Sequence, residues 1–369
     1  MVGSAGMRIA QPRPHSGCNG QLFDRPRDRH REHAPLTRCP AFFTVGAVNE
    51  RRSILSRAFG GAVGPGALTS TSTLTSTLTT TRTRAAMQRI TDGLTMLSSR
   101  MTGDDLDKRI GEAMTHSTNE IGVDPFGADV DTVRLSAAFL IHLHRHWFRT
   151  EVHGIENVPD GRVLLVANHG GQVPLDGIVI ACSLLFDKKK PRFARSMIER
   201  FISTLPFLSV WFPRVGQVLG TRENARRLLE AGEPLLIFPE GVKGISKTFH
   251  DRYKLAAFGP GFMRLALETG SPIVPVAVIG AEEQYPSVAE LKQLSSLLGL
   301  PALPVIPQLF FGMLLPLPTK YRIYFGEPMY FTGDHDDEDA SIEEKISLVQ
   351  TTVQGMVNRA LRERKAIFW

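Results

Sequence analysis

Short apolar runs alternate with helical patterns from residue 150 onwards, and this alternation constrains the fold more than any other feature of the sequence. Strands are predicted at residues 151–155, 162–167, 234–238, 273–279 and 321–325. Helices are predicted at residues 102–118, 133–148, 176–186, 223–231 and 261–269, and a capping box at Ser341 and Glu344 predicts a last helix to about residue 363. Alternating elements of this kind form a mostly parallel sheet covered by helices. We therefore predict an α/β fold, a single domain with a mixed, largely parallel sheet flanked by helices.

The first 86 residues differ in composition from the rest of the chain. They contain 12 Arg, no Lys and four acidic residues, a net charge of +8, whereas the whole chain carries +6. The positive excess therefore lies in this leader and not on the folded body, which argues against a nucleic-acid partner. The Ser/Thr-rich run at residues 69–84 is too polar to form a core. We predict a disordered, low-complexity leader at residues 1–86, a helical lead-in at residues 87–130 and the main domain at residues 131–369.

Other interpretations of the leader stay open. A segment rich in Arg, Ser and Thr with few acids is also typical of an organelle transit peptide. The pair Arg51-Arg52 is similar to a twin-arginine export signal, although Arg57 and several glycines interrupt the run that follows. Translation from Met87 is a further alternative.

The cysteines and histidines do not form a metal-binding pattern. The sequence contains three cysteines, Cys18, Cys39 and Cys182, which is neither a disulfide framework nor a zinc set. Since Cys182 lies in an apolar run, we predict a buried, unreactive thiol. His142 and His146 would share one face of a helix, but no Glu lies between them in the spacing of a zinc motif. We predict interfacial or surface histidines and no metal.

An uncharged apolar run of 27 residues lies between Lys292 and Lys320. Its length is sufficient for a membrane-spanning helix. Five prolines interrupt the run: Pro301, Pro304, Pro307, Pro316 and Pro318. Because proline breaks a helix, we expect the segment to contact a lipid interface or to line an apolar channel, and a buried core loop is the alternative. Residues 201–212 are a second segment of this kind.

The sequence VANHGGQVPLDG at residues 166–177 joins a predicted strand to a predicted helix. On one continuous helix, His169 and Asp176 would lie roughly 10 Å apart along the axis, too far for a hydrogen bond. The two glycines permit a loop that folds back, and Pro174 suits a first helical turn. The Asp176 carboxylate can then fix the tautomer of His169 and stabilise its protonated form, which is the arrangement of a general base. A structural histidine beside a helix-capping aspartate is the alternative.

Three further motifs follow in order along the chain. They are Gly-x5-Arg at residues 216–222, Phe-Pro-Glu-Gly-Val-Lys-Gly at residues 238–244 and Val-Pro-Val at residues 274–276. Asn168-His169 with a downstream Asp, followed by these motifs in this order, resembles the glycerolipid acyltransferases, typified by 1-acylglycerol-3-phosphate acyltransferase. The resemblance covers residues 150–330.

The chain departs from the typical family pattern in two places. Six residues separate His169 from Asp176, which is wider than is usual in the family. This loop looks more like that of the monoacylglycerol and diacylglycerol acyltransferase-like branch and its bacterial relatives. Lys243 stands where the family usually has Arg, so the cation is kept but the bidentate guanidinium is lost.

The resemblance implies a glycerol-3-phosphate acyltransferase-like fold, with residues 131–369 as the acyltransferase domain. It also implies transfer of a fatty acyl group from acyl-CoA or acyl-carrier protein to the hydroxyl of a glycerolipid, such as the lysophospholipid 1-acylglycerol-3-phosphate. His169 would be the general base, and Asp176 would orient it. The substrate-binding residues implied by the motifs are Asn168, Gly216, Arg222, Phe238, Pro239, Glu240, Gly241, Lys243 and Pro275. The cations at 222 and 243 would hold the acceptor phosphate.

The resemblance implies no cofactor and no metal, since acyl-CoA or acyl-carrier protein is itself a substrate. The implied partners are the acyl donor, the glycerolipid acceptor and a membrane surface, which the protein would meet peripherally on the cytoplasmic face. Three other functions stay open: acylation of a neutral monoacylglycerol or diacylglycerol, hydrolysis of a lipid ester, and non-catalytic lipid binding. A hydrolase would need a nucleophile motif such as Gly-x-Ser-x-Gly, and the sequence contains none.

Overall fold

The computed structural model describes residues 88–100, 105–114, 118–171, 173, 175–291, 295 and 304–368. The described residues belong to one compact unit. The leader predicted at residues 1–86 lies outside the described residues, and so do Pro174 and residues 296–303.

A seven-stranded sheet forms the centre of the described part of the chain. Its strands are β1 (Glu151–His153), β2 (Val163–Ala167), β3 (Arg195–Ile198), β4 (Gln217–Leu219), β5 (Pro234–Ile237), β6 (Ile273–Ile279) and β9 (Arg322–Phe325). They lie in the order β1-β9-β6-β2-β5-β3-β4, and two short strands, β7 (Ala289–Glu290) and β8 (Pro304–Val305), pair separately. All neighbours in the large sheet are parallel except β6 and β9. The predicted mixed, largely parallel sheet is confirmed.

Helices cover both faces of this sheet. The helices are α1 (88–100), α2 (Leu106–Met114), α3 (Val130–His142), α4 (Leu175–Phe186), α5 (Leu208–Arg214), α6 (Arg222–Glu230), α7 (Val242–Ile245), α8 (Gly261–Thr269), α9 (Pro307–Phe310) and α10 (Asp339–Glu363). All five residues of β2 are buried, so this strand must be covered by helices on both faces of the sheet. Leu164 and Val166 pack with α6, α8 and α10, whereas Leu165 and Ala167 pack with α4 on the other face. A strand buried on both faces is continuously apolar in sequence.

Most predicted elements are present, and two helix predictions were wrong in detail. The capping box was wrong because α10 begins at Asp339, and Ser341 already lies in its first turn, where its Oγ is 2.7 Å from Lys345 Nζ. The helix predicted at residues 133–148 is not a single α-helix. After His142 the chain widens into a π-helical turn, Leu143–Trp147. Strands β3 and β4 were not predicted, since each is short and contains polar residues.

The carboxyl ends of the parallel strands define one edge of the sheet. Strands β2 and β5 are neighbours, with Val163 opposite Pro234 and Val166 opposite Ile237. The segments that follow them, residues 168–177 and 238–244, therefore meet at this edge. In α/β sheets, ligands bind outside the carboxyl ends of the strands, so this edge is where a functional site is expected.

The apolar run predicted near residues 293–319 is partly visible in the structure. Its described part, residues 304–319, contains β8 and α9 and ends in an irregular stretch. Six large apolar side chains here are exposed: Leu309, Phe310, Phe311, Met313, Leu314 and Leu315. The alternative of a buried core loop is therefore wrong for this part. Within the described ranges, no helix combines the length and the hydropathy that a membrane crossing requires.

Candidate active site

Asn168 fixes the chain at the end of β2. Its side-chain amide donates to Val278 O at 3.0 Å and accepts from Val278 N at 2.7 Å. These two bonds extend the pairing of β2 with β6 by one residue beyond Ala167. The buried Asn168 side chain thereby sets the position of the next residue, His169.

His169 and Asp176 form a buried pair at this edge of the sheet. His169 Nδ1 lies 2.8 Å from Asp176 Oδ2, which is the contact expected from the loop sequence. The same carboxylate accepts from Gly170 N at 3.0 Å and from Gly177 N at 2.8 Å. Asp176 lies in the first turn of α4, where the helix dipole favours a negative charge. Because a carboxylate only accepts hydrogen bonds, Nδ1 of His169 carries the hydrogen and Nε2 is the acceptor.

The His169 ring is held in one orientation. It stacks on the Phe238 ring with 4.0 Å between centroids. On the backbone side, Gly244 approaches so closely that a Cβ there would lie 2.7 Å from His169 Cβ. The side chain is 11% exposed, and Nε2 has no hydrogen-bond partner in the part of the chain that the structure describes. One ring nitrogen is therefore fixed by the protein, and the other is left for a substrate.

Glu240 joins the loop after β5 to the loop after β2. Its Oε1 accepts from His169 N at 2.9 Å. Its Oε2 accepts from Ala256 N at 2.6 Å and pairs with Lys247 Nζ at 2.8 Å. Both oxygens of this predicted substrate-binding residue thus contact protein groups, and the carboxylate holds the backbone of His169.

A second buried carboxylate, Glu282, reaches the same loop, and the sequence analysis missed it. Its Oε1 lies 3.7 Å from Lys247 Nζ and has no hydrogen-bond partner among the described residues. Burial raises the pKa of Glu282 from its usual value of 4.5 to about 7, against the opposing charge of Lys247. The signal in the sequence was two consecutive acidic residues, Glu282 and Glu283, directly after the apolar strand β6.

Replacing Glu282 by Gln is expected to stabilise the protein above pH 7. The folded protein keeps the Glu282 proton up to about pH 7, whereas the unfolded chain loses it near the usual pKa of 4.5. Stability therefore falls as the pH rises from 4.5 to 7 and stays lower above it. The amide avoids this loss, so its free energy of unfolding at alkaline pH should be higher by about 1–3 kcal/mol. Urea unfolding on both sides of this range measures the gain, and an equal gain at acidic and alkaline pH would contradict the titration.

Arg222 and Pro239 lie on the wall of a cleft of 370 Å³ between α6 and α8. Arg222 is the first residue of α6, and its Nη2 pairs with Glu268 Oε2 at 2.9 Å. Lys243 is exposed on the short helix α7 and does not belong to the cleft wall. The structure therefore does not bring the two predicted phosphate ligands together in this cleft.

The remaining predicted substrate-binding residues have backbone roles. Gly216 has a φ of +87°, and a Cβ there would lie 2.5 Å from the Phe193 ring. Gly241 N donates to Phe238 O at 3.0 Å, just before α7. Pro275 lies in β6 opposite Val166 of β2. These residues shape the strands and turns around the pair.

The structure also describes the thiol that was predicted to be unreactive and the histidines that were predicted to lie on a surface. Cys182 is buried in α4, as predicted, and burial raises the pKa of its thiol above the usual range. His142 and His146 stack with 5.7 Å between ring centroids. Among the described residues, one group has ligand atoms close enough for a metal, namely Asp334, His335 and Asp336 in the exposed loop before α10.

Comparison with known proteins identifies the family of the chain. Residues 149–279 match the model of the family described as Acyltransferase. An uncharacterized protein of Mycobacterium tuberculosis is 36% identical over 293 residues, which cover 75% of this chain and 81% of that protein. A "DGAT1/2-independent enzyme synthesizing storage lipids" of Gallus gallus is 28% identical over 227 residues, which cover 60% of this chain and 65% of that protein.

Among solved structures, the 1-acyl-sn-glycerophosphate (LPA) acyltransferase PlsC of Thermotoga maritima matches with a TM-score of 0.41 and 19% identity, over 63% of this chain and 83% of that chain. The family match at residues 149–279 runs from β1 to β6 and contains the His169–Asp176 pair. The chain belongs to the glycerolipid acyltransferase family that its ordered motifs resemble. The protein is an acyltransferase.

Proposed function

We propose that the protein transfers a fatty acyl group from acyl-CoA or acyl-carrier protein to a hydroxyl group of a glycerolipid, with His169 as the general base and Asp176 as the residue that orients it. One observation carries this proposal. Nδ1 of His169 is held by the buried Asp176 at 2.8 Å, and Nε2 has no partner among the described residues. The ring is thus arranged to accept a proton at Nε2.

In the proposed reaction, His169 Nε2 takes the proton of the acceptor hydroxyl as the hydroxyl oxygen attacks the thioester carbonyl carbon. The tetrahedral intermediate then expels the thiolate, and the new ester forms. The thiolate takes the proton from the imidazolium, which returns His169 to its neutral form. Asp176 stabilises the imidazolium between these steps. The balance of the reaction needs no covalent acyl-enzyme and no cofactor.

We propose a lysophospholipid such as 1-acylglycerol-3-phosphate as the acceptor, with Arg222 as the phosphate ligand. The cleft that contains Arg222 also contains Pro239, which follows the Phe238 that stacks on His169. A guanidinium donates charge-assisted hydrogen bonds to phosphate. A phosphate in this cleft would therefore lie close to the reacting pair.

A neutral monoacylglycerol or diacylglycerol is the second candidate acceptor. Glu268 favours it, because its carboxylate already pairs with Arg222 at 2.9 Å and offsets the positive charge. The Gallus gallus relative described as synthesizing storage lipids also supports it. The acceptor is expected at a membrane, so we further propose that the protein lies peripherally on a membrane surface, on the cytoplasmic face where thioester donors occur.

The test is acyl transfer by the full chain from labelled long-chain acyl-CoA to lysophosphatidate and, separately, to diacylglycerol. Product from lysophosphatidate supports the phosphate-bearing acceptor. Product from diacylglycerol alone assigns the neutral acceptor and removes the phosphate role of Arg222. Release of free fatty acid with no transfer would show a hydrolase and refute the proposed function.

Arg222→Ala is expected to raise KM for lysophosphatidate by about tenfold, with little change for acyl-CoA, because it removes a charge-assisted phosphate contact. Glu268→Gln should lower KM for lysophosphatidate by about two- to fivefold, because it releases the Arg222 guanidinium from an exposed ion pair. The matched control is Arg226→Ala, since Arg226 is on the same helix and pairs with Glu223 and Glu230. Equal KM values in the Arg222 and Arg226 variants would contradict the phosphate assignment.

A further inference from the structure

We propose that residues 307–317, called here the docking segment, form a surface that inserts into the interface of an anionic lipid bilayer beside the His169–Asp176 loop. This proposal rests on the proposed function in one respect, namely that the bilayer is the membrane from which the glycerolipid acceptor is taken. Binding to vesicles tests it without any acyl transfer.

The docking segment exposes large apolar side chains in an unbroken series. Phe310 is 78% exposed, Phe311 82%, Leu314 78% and Leu315 62%. No charged residue lies between Lys292 and Lys320 to interrupt this surface. A contiguous exposed apolar patch on a folded protein marks a site of interaction with a partner.

The backbone of the docking segment favours lipid over a protein partner. The N–H groups of residues 309, 311, 312 and 313 donate to carbonyl oxygens of residues 306, 308 and 309. The carbonyl oxygens of Leu314, Leu315 and Pro316 accept from the side chains of Tyr285, Gln308 and Trp147 at 2.6, 3.2 and 3.1 Å. A segment that enters a lipid phase must satisfy its backbone polar groups internally. Recognition by a protein strand would instead use unpaired backbone groups.

Two hydrogen bonds join the docking segment to the candidate active site. Leu317 N donates to Gln284 O at 2.9 Å. Gln284 Nε2 donates to Val173 O at 2.9 Å, and Val173 lies in the loop between His169 and Asp176. The same residue thus holds the docking segment and the active-site loop. Immersion of the segment would bring this loop to the lipid surface, where a glycerolipid hydroxyl is presented.

The loop at residues 243–252 contains cations and lies near the docking segment, which favours an anionic bilayer. Phe249 N donates to Ser287 O at 2.8 Å, and the next residue, the exposed Val288, donates its N–H to Val305 O at 3.0 Å, two residues before the docking segment. The Arg252 guanidinium lies over the Phe249 ring, 4.3 Å from its centroid. Lys243 is exposed on α7, in the same connection after β5. Cations beside an apolar surface are the arrangement that binds anionic headgroups at a membrane interface.

The test is co-sedimentation of the full chain with phosphatidylcholine vesicles and with vesicles that contain about one-third phosphatidylglycerol. The parent protein is expected to bind the anionic vesicles more strongly. The double variant Phe310→Ser/Phe311→Ser should lower its partition coefficient by about tenfold or more, because two phenyl rings no longer leave water. The matched control is Tyr330→Ser. Tyr330 is an aromatic residue that is also 76% exposed, but its neighbour Met329 pairs with Ile273, at the end of β6 opposite to the candidate active site. This control should bind as the parent does.

Unchanged vesicle binding by the double variant would overturn the proposal. A second outcome would also overturn it: the parent forms a dimer in the absence of lipid, and the double variant abolishes this dimer but still binds vesicles. The docking segment would then bind a second copy of the chain. Acyl transfer to a short-chain lysophosphatidate, dissolved below its critical micelle concentration, separates this proposal from the proposed function. Full activity of the double variant on that dissolved acceptor, together with lost vesicle binding, supports the docking segment. Failure of the parent to transfer an acyl group both to this acceptor and to diacylglycerol would refute the proposed function alone.

Discussion

His169→Ala is expected to lower kcat for acyl transfer by about 10²–10⁴ without unfolding the protein. The substitution removes the nitrogen that accepts the proton, but it keeps the backbone N–H that donates to Glu240 at 2.9 Å. Asp176→Asn should lower kcat by a factor in the same range, for a different reason. An asparagine can turn its amide N–H towards Nδ1, which places the imidazole hydrogen on Nε2 and blocks proton acceptance there.

The structure contains a matched control for His169. His144 is also buried, and its Nε2 lies 2.7 Å from Asp187 Oδ2, on the π-helical turn after α3 rather than at the carboxyl edge of the sheet. His144→Ala should therefore lower the thermal unfolding temperature and leave kcat nearly unchanged. Steady-state kcat and KM with labelled acyl-CoA, measured beside thermal unfolding, separate the two effects. If His169→Ala retained kcat within a fewfold of the parent, another group would be the base.

The fold followed from the sequence because its central strands are buried on both faces. Strand β6 is apolar at all seven positions and buried throughout, so its bounds were predicted as observed. The His169–Asp176 contact was predicted for a similar local reason, since glycines and a proline in a short loop restrict the path of the chain. Strands β3 and β4 were missed because their residues are partly exposed or paired, as Arg195 is with Asp124.

The partners of the motif residues were not predictable from the sequence. Glu240 belongs to a motif that suggested substrate contact, but its carboxylate contacts His169, Lys247 and Ala256. Glu282 lies far along the chain from His169, and its side chain reaches the next residue, Gly170, only because β2 and β6 are neighbours in the sheet. A motif identifies residues by their spacing along the chain, whereas the contacts of those residues depend on the register of strands that are distant in sequence.

Glu240→Ala is expected to lower the free energy of unfolding by about 3–5 kcal/mol and to lower kcat as well. The substitution removes the 2.8 Å partner of Lys247, whose side chain is only 9% exposed, and it leaves Glu282, at 3.7 Å, as a more distant carboxylate for the buried ammonium. It also removes the acceptor of the His169 N–H, so the base is no longer held in place. Urea unfolding measures the first effect, and kcat with the better acceptor measures the second.

Two further variants separate these effects of Glu240. In Glu240→Gln, the amide oxygen can still accept from His169 N, but the amide nitrogen faces Lys247 and Ala256 N, so stability should fall while kcat is largely kept. Adding Lys247→Met removes the buried charge, and a positive coupling between the two substitutions should then restore much of the stability. Equal losses of kcat in Glu240→Ala and Glu240→Gln would show that the hydrogen bond to His169 N does not position the base, because only the alanine variant lacks an acceptor for it.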